Sequence, residues 1–235
     1  KEGNIFGELS ALSPEPRTAD ATATKKTILL SLTQNAINHI IDEQIKVTKG
    51  IIRILCKRIK NTIDKKTVDL SKSKTEDVSI EKEKITQPDF PDSTPDGNRL
   101  TAIEKILILK SVSIFNKLPD NILNDIADIS KEQQLAPGQI LFNKGDSGTT
   151  MYIIIDGEVK VYDGENIIAI LGSRKIIGEL AALSSESRTA SISALKKTRL
   201  LKITQESLYE IMWDHSEVAK ACMQVLIERL RNLIK

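Results

Sequence analysis

Cysteine and histidine are scarce in this chain of 235 residues, with two of each. Cys56 and Cys222 are far apart and both fall in helical patterns, which reads as core thiols rather than a disulfide framework or a metal pair. His39 and His215 have no partner at ligand spacing, and no nucleophile stands beside a base, so neither a metal site nor a catalytic constellation is legible. No apolar run approaches the ~18 residues that cross a bilayer, and no secretory signal is read ahead of the first domain. A dominant charge is missing too: 34 Lys and Arg face 32 Asp and Glu, +2 overall. That balance favours neither nucleic acid nor a membrane surface as partner. The expectation is a non-enzymatic, cytoplasmic chain with room for one or two modest cores.

What the chain does contain is a motif that occurs twice. Ile177-Gly-Glu-Leu-Ala-Ala-Leu-Ser-Ser-Glu-Ser-Arg188-Thr-Ala-Ser191 has a second copy in Phe6-Gly-Glu-Leu-Ser-Ala-Leu-Ser-Pro-Glu-Pro-Arg17-Thr-Ala-Asp20. Each sets a Gly-Glu pair ten residues before an Arg, with small residues and turn formers between. A glycine lets backbone approach a ligand closely, and the residues after it can open a short helix whose free N–H groups meet a phosphate. An arginine from the far side can grip the same phosphate with a planar pair of donors. The glutamate would repel an anion and is better used accepting from a neutral hydroxyl, such as a ribose 2′-OH. A phosphate and a sugar hydroxyl together outline a nucleotide.

These residues resemble the phosphate-binding cassette of cyclic nucleotide-binding domains. The resemblance extends upstream to Pro137-Gly138-Gln-Ile-Leu-Phe-Asn-Lys-Gly145-Asp146 and Met151-Tyr-Ile-Ile-Ile-Asp-Gly157-Glu-Val-Lys-Val-Tyr162. It implies that Gly178, Glu179, Leu180 and Ala181 line a ligand pocket with Arg188 and Thr189 opposite. The ligand would be cyclic AMP or cyclic GMP. Thr189 permits a bond on the 2-amino side of guanine but does not select between the two. In the first copy the matching residues are Gly7, Glu8, Leu9, Ser10, Arg17 and Thr18, read as vestigial. Arg229, Arg231 and Asn232 on the final helix are candidates to cover the base. The competing reading is an empty pocket in which Glu179 pairs with Arg188.

Shifting the sequence by 171 residues aligns 5–63 with 176–234 without a gap, with 26 identical positions. The first copy lacks the strands that would precede its cassette, so the chain reads as a fragment of a longer protein. The expected organisation is a partial first domain over 1–63, a flexible charged and Pro-containing linker over 64–99, and a complete domain over 100–235. The complete copy predicts helices at Ile103–Leu109 and from Leu118 to about Ser130. Strands are expected at Gln133–Ala136, Ile140–Asn143, Met151–Ile155, Glu158–Tyr162, Ile167–Leu171, Thr189–Leu195 and Arg199–Ile203. Asp156-Gly157 reads as a tight hairpin. Helices are expected again at Glu206–Asp214 and Glu217–Lys235, and over Ala36–Ile63 in the first copy. The fold class is therefore α+β, mainly β: a double-stranded β-helix or jelly-roll barrel with flanking N- and C-terminal helices.

The apolar stripe of the last helix, Val218, Cys222, Leu226 and Leu230, can pack on its own barrel or pair with a second helix in a homodimer. The expected function is regulatory: the chain binds a cyclic nucleotide and relays it to an output domain outside these residues, without direct nucleic-acid or membrane contact. A ligand-free docking or oligomerisation domain and the effector part of a transcription regulator are the alternatives.

Overall fold

The computed structural model describes residues 5–13, 16–17, 19–72 and 99–234, with side chains in the segment ending at Lys72 described as far as Lys65. The elements of the first copy are α1 (Glu8–Leu12), α2 (Gln34–Glu43) and α3 (Ile45–Lys72). α3 thus runs past residue 63, and what remains of the expected linker lies almost wholly outside the described residues. The second copy begins with α4 (Ala102–Lys110) and α5 (Asp120–Ile129). Five strands follow: β1 (Lys131–Leu135), β2 (Ile140–Phe142), β3 (Thr150–Asp156), β4 (Val159–Asp163) and β5 (Asn166–Leu171). Then come β6 (Ile176–Ile177), α6 (Glu179–Ser184), β7 (Ser191–Ala194), β8 (Thr198–Thr204), α7 (Gln205–Asp214) and α8 (Ser216–Ile234).

Local chemistry sets the ends of these helices. Thr101 and Glu104 form a reciprocal capping box at α4, which satisfies two of its orphan N–H groups. Pro119 caps α5, whose apolar face buries Ile122, Leu123, Ile126 and Ala127. Thr33 accepts from the Ala36 amide at α2, and the equivalent Thr204 accepts from the Ser207 amide at α7.

The strands form two four-stranded antiparallel sheets, ordered β1-β8-β3-β6 and β2-β7-β4-β5. This is the jelly-roll arrangement with flanking helices. The unbroken apolar run of β3 is explained by its place: Met151 and Ile153 face the helical core, while Tyr152 and Ile154 face the core between the sheets. β8 divides its residues in the same way, with Leu201 and Ile203 on one side and Leu200 on the other. Strands buried on both faces read as continuous rather than alternating hydrophobicity.

Two expectations are corrected. Asp156-Gly157 does not close a hairpin, because β3 and β4 lie in different sheets. Gly157 has φ 98°, and a Cβ there would come within 2.6 Å of Thr198 Cα. The glycine lets the chain cross from sheet to sheet against β8. The tight hairpin is one turn later, where Gly164 and Glu165 connect the paired residues Asp163 and Asn166. The sequence also gave no sign of β6, whose two residues pair with Tyr152 and Ile153.

The stripe of α8 is covered from within the chain. α3 packs along α8 and also against α6. Ile52, Leu55, Cys56 and Ile59 share one core with Met223, Leu226, Ile227 and Leu230. Both cysteines are free and buried there. Burial pushes the Cys56 thiol up to about 12.

Candidate functional site

β6 ends at Ile177, and Gly178 then turns the chain into α6 with φ 74° and ψ 11°. That left-handed conformation favours glycine, and a side chain here would strike the Arg188 guanidinium. α6 follows directly, and its first-turn amides, those of Glu179, Leu180 and Ala181, have no acceptor within the helix.

Arg188 returns from the other side. Its backbone is anchored by the loop the sequence marked with Gly145-Asp146: the Gly145 amide donates to the Arg188 carbonyl and the Arg188 amide to the Asp146 carbonyl, each at 2.9 Å. The side chain is buried, 5% exposed. Nη1 donates to the Gly178 carbonyl at 2.9 Å and Nη2 to Thr150 Oγ1 at 3.0 Å. The guanidinium carbon lies 4.0 Å from the centre of the Phe142 ring. Nε is buried with no hydrogen-bond partner among the described residues. Among the described residues no carboxylate forms an ion pair with Arg188. Burial pulls its pKa below the ordinary value, opposed by Tyr152 and Asp146. The pocket therefore holds a desolvated cation bound only to neutral acceptors, and an anion is what such a group lacks.

Glu179 does not pair with Arg188, as the empty-pocket reading expected. It forms an ion pair with Arg229 of α8. All six residues singled out in the second copy, Gly178, Glu179, Leu180, Ala181, Arg188 and Thr189, line one pocket of about 110 Å³. Arg229 lines it too, closing it from α8. The other two cover candidates do not: Arg231 reaches the Pro16 carbonyl of the first copy at 3.2 Å, and Asn232 is exposed.

The sequence reading missed the walls of the pocket. Phe142 and Thr150 contact the arginine, and Gly148 makes room for it, since a Cβ there would meet Arg188 Nε and Ala181 Cβ at 2.6 Å. Phe142 stood inside the run from Pro137 to Asp146, and Gly148, the next glycine after Gly145, was the available signal for a close approach.

In the first copy Gly7 repeats the turn with φ 76° and ψ 9°, and Arg17 Nη1 donates to the Gly7 carbonyl at 3.1 Å. Glu8 pairs with Arg58, the counterpart of Arg229. Leu9 is buried, Ser10 half-buried, and Thr18 lies outside the described residues. A wider groove of about 440 Å³ beside α7 is lined by Lys49, Tyr209 and Trp213, but also by the carboxylates Glu206, Glu210 and Asp214. Those three carboxylates would oppose an anion there. Among the described residues no acidic, His or Cys cluster could hold a metal ion, and no helix is long and apolar enough to cross a membrane.

The family model of the cyclic nucleotide-binding domain matches residues 132–215, and that stretch of the chain is a domain of this family. It is 32% identical over 115 residues to a CRP-like cAMP-activated global transcriptional regulator of Mycobacterium tuberculosis, covering 46% of this chain and 51% of that protein. It is 28% identical over 148 residues to lysophospholipase NTE1 of Chaetomium globosum, covering 57% of this chain and 10% of that protein. The chain thus spans from a tenth to about half the length of these curated relatives. Among solved structures, the N-terminal domain of a transcriptional regulator from Streptomyces coelicolor aligns with a TM-score of 0.50 and 30% identity, over 53% of this chain and 91% of that one.

Proposed function

We propose that this chain is a non-enzymatic regulatory module that binds cyclic AMP or cyclic GMP in the pocket of its second copy and passes the event on through its last helices. The observation that carries the reading is the buried guanidinium of Arg188 with no ion-pair partner among the described residues, facing the left-handed Gly178 across the pocket. A cyclic phosphate would take the guanidinium in place of its neutral acceptors, and the first-turn amides of α6 would meet the phosphate from the other side. Glu179 would accept from the ribose 2′-OH. That exchange weakens its hold on Arg229, so occupancy of the pocket and the position of α8 are linked. The shift can be no larger than the nucleotide's preference for one arrangement over the other. Thr189 and Arg229 both line the pocket, and they leave adenine and guanine both open.

The domain plan that goes with this is a vestigial cassette and its helices over 1–63, a linker over 64–99 and the binding domain over 100–235. Relay to an output domain belongs to the same proposal. So does a cytoplasmic setting. A homodimer through α8 would have to displace α3 from the same face, so the pairing within one chain is preferred. The alternative is a ligand-free docking module, and the broad helix pair α3–α8 favours it. Calorimetric titration with each cyclic nucleotide decides between them. Saturable binding of either is expected; no heat from either at millimolar concentration would leave the docking reading.

A further inference from the structure

α3 and α8 are equivalents under the 171-residue repeat, and the contacts they make are reciprocal. Lys60 on α3 and Arg231 on α8 occupy the same position in their copies. Each crosses to the other copy's cassette. Lys60 Nζ donates to Glu186 Oε2 at 3.2 Å and to Ser187 Oγ at 3.0 Å. Arg231 donates to the carbonyl of Pro16, which is the counterpart of Ser187. Two surfaces that exchange the same contact in both directions behave as a two-fold pair, here built into one chain.

We propose that the last helix of the first copy is a working part of the second copy's phosphate site, with Lys60 as the positioning residue that couples them. The inference rests on the nucleotide reading given above. Ser187 lines the pocket and immediately precedes Arg188. It is held on one side by a bridge to Ser147 and on the other by Lys60. The loop from Ser185 to Ser187 includes a left-handed residue, Ser185, with φ 59°. External contacts therefore fix where the arginine starts. Charge adds a second effect. Glu186 carries a carboxylate two residues before Arg188, and Lys60 offsets it. The two side chains are 24% and 33% exposed, so bulk solvent screens them only in part. Withdrawing Lys60 frees the loop and leaves Glu186 opposing the anion. A displacement of α3 along α8 then lowers affinity at the second site, and by linkage nucleotide binding biases the position of α3.

The test uses the whole chain, titrated calorimetrically with cyclic AMP and cyclic GMP, and compares Lys60→Ala, Lys60→Glu, Glu186→Lys and the double variant Lys60→Glu with Glu186→Lys. Lys60→Ala is expected to weaken binding about fivefold, the scale of a partly exposed ion pair, without moving the thermal midpoint by more than a degree or two. Lys60→Glu weakens it further, and the swapped pair recovers most of the loss. A Lys60→Ala chain that binds as tightly as the unsubstituted one overturns the coupling alone, as does a swapped pair no better than Lys60→Glu. An unsubstituted chain that binds neither nucleotide overturns the reading of the site and this coupling with it.

Discussion

The two cassettes share a backbone and differ in what surrounds it. Gly7 and Gly178 adopt the same left-handed turn within a few degrees, and Arg17 and Arg188 each reach back to the glycine's carbonyl. Glu8 and Glu179 each pair with an arginine of the helix that ends their own copy. Yet Arg17 is exposed and Arg188 is buried. Phe6 is 58% exposed where Ile177 is 2% exposed. Leu29 and Leu30 are 64% and 90% exposed where Leu200 and Leu201 are fully buried. The cassette conformation is thus local, set by a glycine, a short helix and an arginine ten residues on. Desolvation of the arginine is not local: it comes from Phe142, Gly148 and Thr150 on the strands and loops of the second copy. A cassette motif therefore does not by itself make such a site.

The largest test of that difference is mechanical. Leu200 sits in the core between the sheets, so Leu200→Ala should cost about 2–5 kcal/mol of unfolding free energy, the range for a buried leucine that leaves a cavity. Leu29→Ala, at the equivalent position, should stay within about 0.5 kcal/mol. Denaturant unfolding of both variants measures this. Equal losses would mean that the segment around Leu29 is covered in solution and that the contrast between the copies is false.

This contrast also explains what could be read without coordinates. The strands were legible because turn chemistry separates them, and the doubly buried β3 because its apolar run is continuous. β6 was not legible: two residues carry no periodicity. The hairpin was placed one turn early because Asp-Gly pairs at 156 and 163 look alike in sequence, and only the close approach of Gly157 to Thr198 tells the sheet crossing from the hairpin. In the site, Gly178, Glu179 and Arg188 were legible from their spacing and from being repeated. Thr150 and Gly148 were not, since they reach the arginine through sheet geometry, about 40 residues upstream. The partner of the α8 stripe was left open between barrel and homodimer; a repeat of the same helix inside the chain was the unused clue.

A smaller effect is expected from the arginines themselves. Arg188→Ala should weaken cyclic nucleotide binding by roughly tenfold to a hundredfold, corresponding to the ~1.5–3 kcal/mol of hydrogen bonds to a charged group. Arg17→Ala should leave affinity unchanged, because its guanidinium lies in solvent. Parallel titrations check the pair. If Arg17→Ala weakened binding as much, the first cassette would be contributing a functional site of its own, and the vestigial reading would be lost.

The smallest effect lies where the two-fold relation between the copies breaks. Asp42 of α2 accepts from Ser216 at 2.6 Å and pairs with Lys220, both on α8. The hydrogen bond from Lys220, followed by that from Ser216, holds the Asp42 carboxyl below its ordinary range. The counterpart of Asp42 is Trp213, and the counterpart of Lys220 is Lys49, whose ammonium sits 4.2 Å from the centre of the Tyr209 ring. Burial pushes the Tyr209 hydroxyl up to about 12, so the ring that faces Lys49 stays neutral throughout mild acid. A carboxyl with a depressed folded pKa contributes stability that is present above its unfolded value, ~3.9, and lost as pH falls through the folded value. Asp42→Asn should therefore destabilise the chain at pH 7 by only a few tenths of a kcal/mol, since the pair is solvent-screened. The gap to the unsubstituted chain should close as pH is lowered from about 5 to below 3, where both carry a neutral side chain. Trp213→Asn should change the thermal midpoint by the same amount at both ends of that range. A pH-independent gap for Asp42→Asn would mean that the carboxylate charge does nothing for the contact between the copies.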